Sequence, residues 1–308
     1  MLSRVAESIY WINRYIERAE NYSRLIDVNC QMSLDLPNSH LSQWSPIVHT
    51  TSDQKTFVER YGEFNRKNTI EFITFDLDNP NSILSCISRA RENARTVREQ
   101  ISPELWEILN EFYLKLKYTK QEHFSYDEVQ TFFKEVRQNC LLFHGCMDAT
   151  ISHDTEVWNF AMLGRLLERA DKSTRILDMK YYILLPSIND IGTSIDLIQW
   201  IALLKATGSL GMFKKSYSKI NPKAISEFIM LNEYFPRSIL FCMKQIKQNL
   251  QGISPGGTNV LNLVDTTLAE LKATNVELIF TTGLHEYLDN MQIKLNQIDG
   301  EINQNYFL

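Results

Sequence analysis

A chain of 308 residues is one large domain or two ordinary ones, and its 11 Gly and 8 Pro compare with roughly 37 expected for the two together at average usage. Sheets and barrels need Gly and Pro for their many turns, so the shortage argues against an all-β fold, and 44% hydrophobic residues exclude a disordered chain. A net charge of −5 offers no global basic field for nucleic acid, the five Cys are scattered, and no run nears the ~18 apolar residues of a bilayer span. These figures lead us to expect a reduced, cytoplasmic, all-α protein with neither membrane nor nucleic acid as partner.

Apolar periodicity and capping residues predict the following helices in chain order. The first covers Ser3–Asp35 and stops at Pro37-Asn38. A second spans about 44–61, with Pro46 suited to its first turn. A segment near 69–75 leads into Asp78-Asn79-Pro80-Asn81-Ser82, a turn whose Ser82 caps a helix over about 83–101. Helices at Pro103–Lys117, 126–147 and 155–185 follow. The remainder reads as Ser194–Ala206, Pro222–Leu231, 236–250 and one long terminal helix over about 265–298. Gly192, Gly208, Gly211 and the Pro255-Gly256-Gly257 cluster fall between elements.

Self-similarity organises this series. Tyr15-Ile16-Glu17-Arg18-Ala19-Glu20 returns as Leu166-Leu167-Glu168-Arg169-Ala170-Asp171, an offset of 151, and Arg14, Ser23, Arg24 and Asp27 match Arg165, Thr174, Arg175 and Asp178. Further on the offset is 156: Trp44, Tyr61 and Phe72-Ile73 match Trp200, Tyr217 and Phe228-Ile229, and Pro80-x-Ser82-Ile83-Leu84-x-Cys86 matches Pro236-x-Ser238-Ile239-Leu240-x-Cys242. Three blocks in one order at nearly one offset predict a helical bundle of two duplicated halves, about 1–150 and 151–308, packed as one domain.

The repeated block carries the first candidate site. Trp11, Ile12, Tyr15, Ile16, Ala19, Tyr22 and Ile26 share one face of the first helix, and Met162, Leu163, Leu166, Leu167, Ala170 and Leu177 form the face of its copy. Beside it runs a charged stripe, Glu17, Glu20, Arg24 and Asp27, copied as Glu168, Asp171, Arg175 and Asp178. Arg14 and Arg165 stand within i,i+3 reach of each Glu, while Arg18 and Arg169 border the opposite edge of the apolar face. Duplicated ion pairs that fix how two related helices meet account for this pattern; a polar site between the copies, where a substrate or partner is held, is the functional alternative. The i+3 positions carry Glu20 and Asp171 where a di-metal carboxylate bundle needs His, so no metal site is expected.

A second candidate is a basic stripe. Arg91, Arg95 and Arg98 flank the apolar face of the helix after Pro80, and their counterparts are Lys247, Gln251 and Ser254. The stripe is absent from one copy, so the shared scaffold does not require it; it suits an anion or an acidic partner, as does Arg237, unless Glu92 and Glu99 pair it off on a solvated face. His40, His49, His123, His144, His153 and His285 have no metal-ligand spacing, and His153-Asp154 precedes the second Glu-Arg helix as a loop or cap. No phosphate-loop, dinucleotide or nucleophile-elbow motif occurs. Pro255-Gly256-Gly257-Thr258 reads as an inter-helix loop, with a phosphate-holding turn as the rarer use.

These motifs together resemble the bacterial alpha-E domain, an all-helical family with a Glu-Arg motif, from Met1 to about Gly300. The resemblance rests on Tyr15-Ile16-Glu17-Arg18-Ala19-Glu20, Asp78-x-Pro80-x-Ser82-Ile83, Ala90-Arg91-Glu92-Asn93-Ala94-Arg95, Trp106-Glu107-x-x-Asn110, Gly164-Arg165-x-x-Glu168-Arg169-Ala170-Asp171 and Phe235-Pro236-Arg237-Ser238. It implies a companion of circularly permuted ATP-grasp ligases, which join carboxylates to amines. The expected role is a helical accessory or substrate-presenting partner in peptide ligation, with no cofactor of its own and with ATP and Mg on the ligase. An independent enzyme with a Glu/Arg site between the repeats and a pure interaction scaffold are the alternatives.

Overall fold

The computed structural model of the chain describes residues 1–35, 44–119, 125–184, 193–253 and 258–308. Among the described residues every regular element is an α-helix and no strand occurs. Pro37-Asn38, Gly192 and Pro255-Gly256-Gly257 lie outside them.

Two long helices form the centre. α1 (Ser3–Asp35) packs on α8 (Glu156–Leu184) more extensively than any other pair. Gly164 lets their backbones touch: a Cβ there would lie 2.2 Å from the carbonyl oxygen of Tyr10. The predicted apolar faces are buried at Ile12, Ile16, Ala19, Tyr22 and Ile26 of α1, and at Leu163, Leu166, Leu167, Ala170 and Leu177 of α8. Trp11, Tyr15 and Met162 are only partly covered. The acids of the stripe beside those faces, Glu17, Glu20, Asp27, Glu168, Asp171 and Asp178, are buried too, while Arg24 and Arg175 stay partly exposed.

In the first half, the predicted helix over 44–61 is two helices, α2 (Ser45–His49) and α3 (Gln54–Tyr61). The Thr50 and Thr51 hydroxyls donate to the carbonyls of Ile47 and Val48, both at 2.7 Å, and Ser52 adopts a left-handed φ of 62°. Pro46 sits in the first turn of α2 as expected. α4 (Arg66–Thr74) leads to the Pro80 turn, and the Ser82 hydroxyl caps α5 (Ile83–Thr96) by accepting from the Ser85 amide. α5 ends short of the predicted position 101 because Val97 leaves helical geometry, and the chain re-enters a helix at Ser102, the cap of α6 (Pro103–Lys117). A Ser125–Glu128 capping box starts α7 (Tyr126–Thr150).

The second half continues through α9 (Ser194–Ala206), α10 (Leu210–Ser216), α11 (Pro222–Leu231) and α12 (Ile239–Gln251). The short α10 was not foreseen, and it places Gly211 inside a helix. The predicted terminal helix is three: α13 (Thr258–Ala273), α14 (Val276–Thr282) and α15 (Leu284–Tyr306). Asn275 caps α14, and Gly283, with φ at 106°, separates it from α15. α5 and α7 flank α1, α12 and α15 flank α8, α6 lies on α5 and α7, and α13 lies on α12 and α15. One hydrophobic cluster runs through the chain from Ala6 to Ile302. All five Cys are free. Among the described residues no helix is long and apolar enough to cross a membrane.

Candidate functional site

The Glu-Arg motifs meet where α1 crosses α8, and they pair reciprocally. Arg18 donates from Nε to Glu168 Oε1 at 2.7 Å and from Nη2 to Oε2 at 2.8 Å. Arg169 makes the same fork to Glu17, Nε to Oε1 at 3.0 Å and Nη2 to Oε2 at 2.8 Å. Such bidentate forks fix the mutual orientation of two helices, because both planes and both distances must be satisfied together. The local i,i+3 pairs expected of Arg14 and Arg165 do not form. Arg14 crosses to Glu168 at 3.0 Å, and Arg165 Nε stands 3.7 Å from Glu17. Helix crossing brings these cations nearer the opposite carboxylate than their own. Arg18 and Arg169, expected at the far edge of the apolar face, are thus inside the centre.

Each carboxylate takes a further cation, and the two come from different places. Arg237, in the turn before α12, donates to Glu17 at 2.7 Å, to Glu20 at 2.7 Å and to the Asn21 side chain at 2.9 Å. Lys172 on α8 stands 3.7 Å from Glu168 and donates to Asp171 at 3.2 Å. In the sequence, Asn81 occupies the position matching Arg237 and Asn21 the position matching Lys172. Asn81 accepts from Arg18 at 2.8 Å. A positive charge therefore bridges the two acids of each helix, once from a turn and once from the helix itself. The i,i+4 pairs Arg24–Glu20 at 2.6 Å and Arg175–Asp171 at 2.9 Å close the outer edge.

Glu17, Glu20 and Glu168 have no exposed surface. Burial alone would raise the Glu17 carboxyl, but Arg169 and Arg237 outweigh it and hold the group well below the usual carboxylate range. At Glu168 burial is likewise outweighed by Arg18, Lys172 and Arg14. Both stay ionised and fully bonded, unavailable as general base or nucleophile. Arg165 is the weakly paired member: burial and then Arg169 push its guanidinium down to about 10, and its Nε makes no hydrogen bond. His144 of α7 lies 3.6 Å from Glu17 with neither ring nitrogen hydrogen-bonded, and burial followed by Arg165 keeps it well below its ordinary value. His144 and Lys172 escaped the sequence reading because a lone residue on another helix, or one without a counterpart in the repeat, leaves no pattern.

The stripe's outer members leave the centre. Asp27 pairs with Arg137 at 2.7 Å, and Asp178 with His285 of α15 at 2.7 Å. Arg237, read as an anion or partner site, keeps 11% of its side chain exposed and is engaged by Glu17 and Glu20. Arg91 donates to Asn110 at 2.8 Å and to Glu92 at 2.8 Å and lies over Trp106 and Tyr113, so it is tied down rather than offered. Arg95 reaches Glu92 at 2.8 Å yet keeps 64% of its side chain exposed, and Arg98 lies over Trp106. Arg95 and Arg98 line, with Arg4, Glu7, Glu99 and the apolar Leu2, Val5 and Val97, an open cavity of about 670 Å³ at the start of α1. His153 stacks on Trp158 at 3.8 Å, and the hydroxyl of Thr155, not Asp154, accepts from the Trp158 amide at the start of α8.

Among the described residues two groups have the donors and spacing for a metal ion: Glu17, Glu20 and His144, and Asp178, His285 and Asp289. The first is a poor cation site, since Arg165, Arg169 and Arg237 already surround its carboxylates.

Comparison with known proteins agrees with this architecture. The chain is similar to an uncharacterized protein of Mycobacterium bovis, 21% identical over 294 residues, covering 89% of this chain and 33% of the relative. Two uncharacterized proteins of Mycobacterium tuberculosis are 21% and 20% identical over the same shares. The chain thus spans about a third of the length of the curated relatives it matches. No solved structure matches it. Residues 1–307 match Alpha-E, described as a predicted alpha-helical domain with a conserved ER motif; the chain belongs to the Alpha-E family.

Proposed function

We propose that the chain is a non-catalytic, substrate-presenting helical partner of an ATP-grasp-type amide ligase, working in the cytoplasm. The observation that carries this reading is the sealing of the Glu-Arg centre: its two glutamates have no exposed surface and are fully occupied by internal cations. A group with no access to substrate holds a scaffold together, so ligation chemistry, with its ATP and Mg, belongs to the partner. The curated relatives support a modular role, because the region they share with this chain is about a third of their length. The reciprocal pairing and the similar surroundings of α1 and α8 support an origin of the bundle by internal duplication.

The presenting face in this reading is the cavity lined by Arg4, Arg95 and Arg98, with Leu2, Val5 and Val97 as its apolar part. Its three arginines outnumber Glu7 and Glu99 on the same lining, and an acidic peptide segment is the occupant this reading assigns to it. The test is capture of the ligase from the native host, followed by peptide ligation with and without this chain. Arg95→Glu combined with Arg98→Glu should lower ligation roughly tenfold, about 1.4 kcal/mol, without lowering the melting temperature. Ligation at full rate in the absence of the chain would overturn the reading.

A further inference from the structure

Among the described residues, Arg165 alone of the arginines in the Glu-Arg centre makes no hydrogen bond. Its Nε stands 3.7 Å from Glu17 Oε2, beyond bonding distance, and is buried without a partner. Its terminal nitrogens, also without a hydrogen bond, are not buried, and 18% of the side chain is exposed. The glutamates are sealed, but this guanidinium reaches the edge of the centre. His144 of α7 stands against the same Glu17 oxygen, with Nε2 at 3.6 Å; it is 3% exposed and neither ring nitrogen is bonded. Two neighbouring buried groups without hydrogen bonds call for an explanation.

The other Glu-Arg helix shows what is missing. Arg14, the counterpart of Arg165, donates from Nε to Glu168 at 3.0 Å and from Nη1 to Asp299 of α15 at 2.6 Å. Asp299 keeps 29% of its side chain exposed, so that end also lies at the edge. His144 precedes Asp299 by 155 positions, between the offsets of 151 and 156 that relate the repeated blocks. Where α15 brings a carboxylate to Arg14, α7 brings an imidazole beside Arg165. The charges differ accordingly. Arg14, Arg18, Lys172 and Arg175 face three acids, Glu168, Asp171 and Asp299. Arg24, Arg165, Arg169 and Arg237 face two, Glu17 and Glu20. A buried cation without a partner is costly, and the deficit is one negative charge.

From this comparison we infer that the chain binds one small carboxylic acid, as its anion, at Arg165, in the place that Asp299 takes at Arg14, with His144 on the inner side of the site. A guanidinium fork matches a planar carboxylate in both geometry and charge, and a spherical halide uses only the charge. This site is separate from the cavity at Arg95 and Arg98 and does not depend on the ligase reading.

The test uses the full chain in acetate-free buffer at pH 7, titrated with sodium acetate and, in parallel, with sodium chloride to the same ionic strength. The imidazole resonances are followed by nitrogen NMR, those of His144 being identified by their loss in His144→Gln. Acetate should shift the His144 resonances saturably, and chloride should not. Arg165→Gln should weaken acetate binding roughly tenfold or more, since it removes the charge-assisted hydrogen bonds. Urea unfolding gives a second readout: saturating acetate should stabilise the parent chain and leave Arg165→Gln unchanged. Should Arg165→Gln fail to fold, Arg165→Lys, which keeps the charge but loses the fork, takes its place and should also weaken acetate. An unmoved or unsaturable His144 resonance, equal effects of chloride and acetate, or full acetate binding by the Arg165 variant would overturn the inference.

Discussion

Arg237 and Lys172 do one job from two places, and this exchange makes a quantitative prediction. Arg237→Asn installs in the second half the residue that Asn81 supplies in the first. It removes 2.7 Å bonds to both Glu17 and Glu20, from a side chain only 11% exposed. Removing one partner of a buried ion pair costs about 3–5 kcal/mol. Glu17 keeps its fork from Arg169 and Glu20 keeps Arg24, so the lower end, about 3 kcal/mol, is expected. Asn21→Lys then places an ammonium i+4 from Glu17, as Lys172 stands i+4 from Glu168. In the Arg237→Asn background it should return about 1–2 kcal/mol, whereas alone it should destabilise by crowding Arg237. Urea unfolding followed by circular dichroism at pH 7 gives the three differences, provided the slope with urea stays constant. Strictly additive effects, with a coupling below about 0.5 kcal/mol, would refute the equivalence of the two cations.

Three further outcomes are expected. Glu168→Ala should cost about 3–5 kcal/mol in the same unfolding assay, because Arg14, Arg18 and Lys172 lose their shared anion; a loss below about 1 kcal/mol would mean the centre is not a lock. Gly164→Ala should cost about 2 kcal/mol or more, since its Cβ meets backbone, which cannot swing aside; calorimetric melting would show it. Acid should act in two windows. His144 is held below its ordinary value, so only the unfolded chain takes its proton, and stability falls by about 1.4 kcal/mol per pH unit below pH ~6.5. The lowered carboxyls of Glu17 and Glu168 give stability that is complete above their unfolded value of about 4.3 and lost as pH falls through their folded values. His144→Gln should flatten only the upper window in unfolding titrations between pH 7 and 5.

The helices legible in the sequence are those with a local boundary signal. Ser82, Ser102, Thr193 and Asn221 all cap where a polar residue precedes an apolar run, and each hydroxyl or amide oxygen accepts the expected amide. The breaks at Ser52 and Gly283 were hidden, because the apolar periodicity on either side is continuous enough to suggest one helix. The Glu-Arg motifs stood out through repetition, but which arginine serves which glutamate depends on how α1 crosses α8. Arg18 and Glu168 are 150 positions apart, so no spacing rule reaches them. Arg237 belonged to a recognised block, yet only the fold turns it inward.

The reciprocal forks also set a timetable for synthesis. Glu17 emerges early, but its partners Arg169 and Arg237 follow 152 and 220 positions later. At about 5–20 residues per second, roughly 11–44 s pass between Glu17 and Arg237. Until Arg169 is made Glu17 has neither partner, and until Arg237 is made it has one, whereas Glu20 has Arg24 on its own helix from the start. Arg237, in the turn before α12, is thus the last cation of the centre to be synthesised.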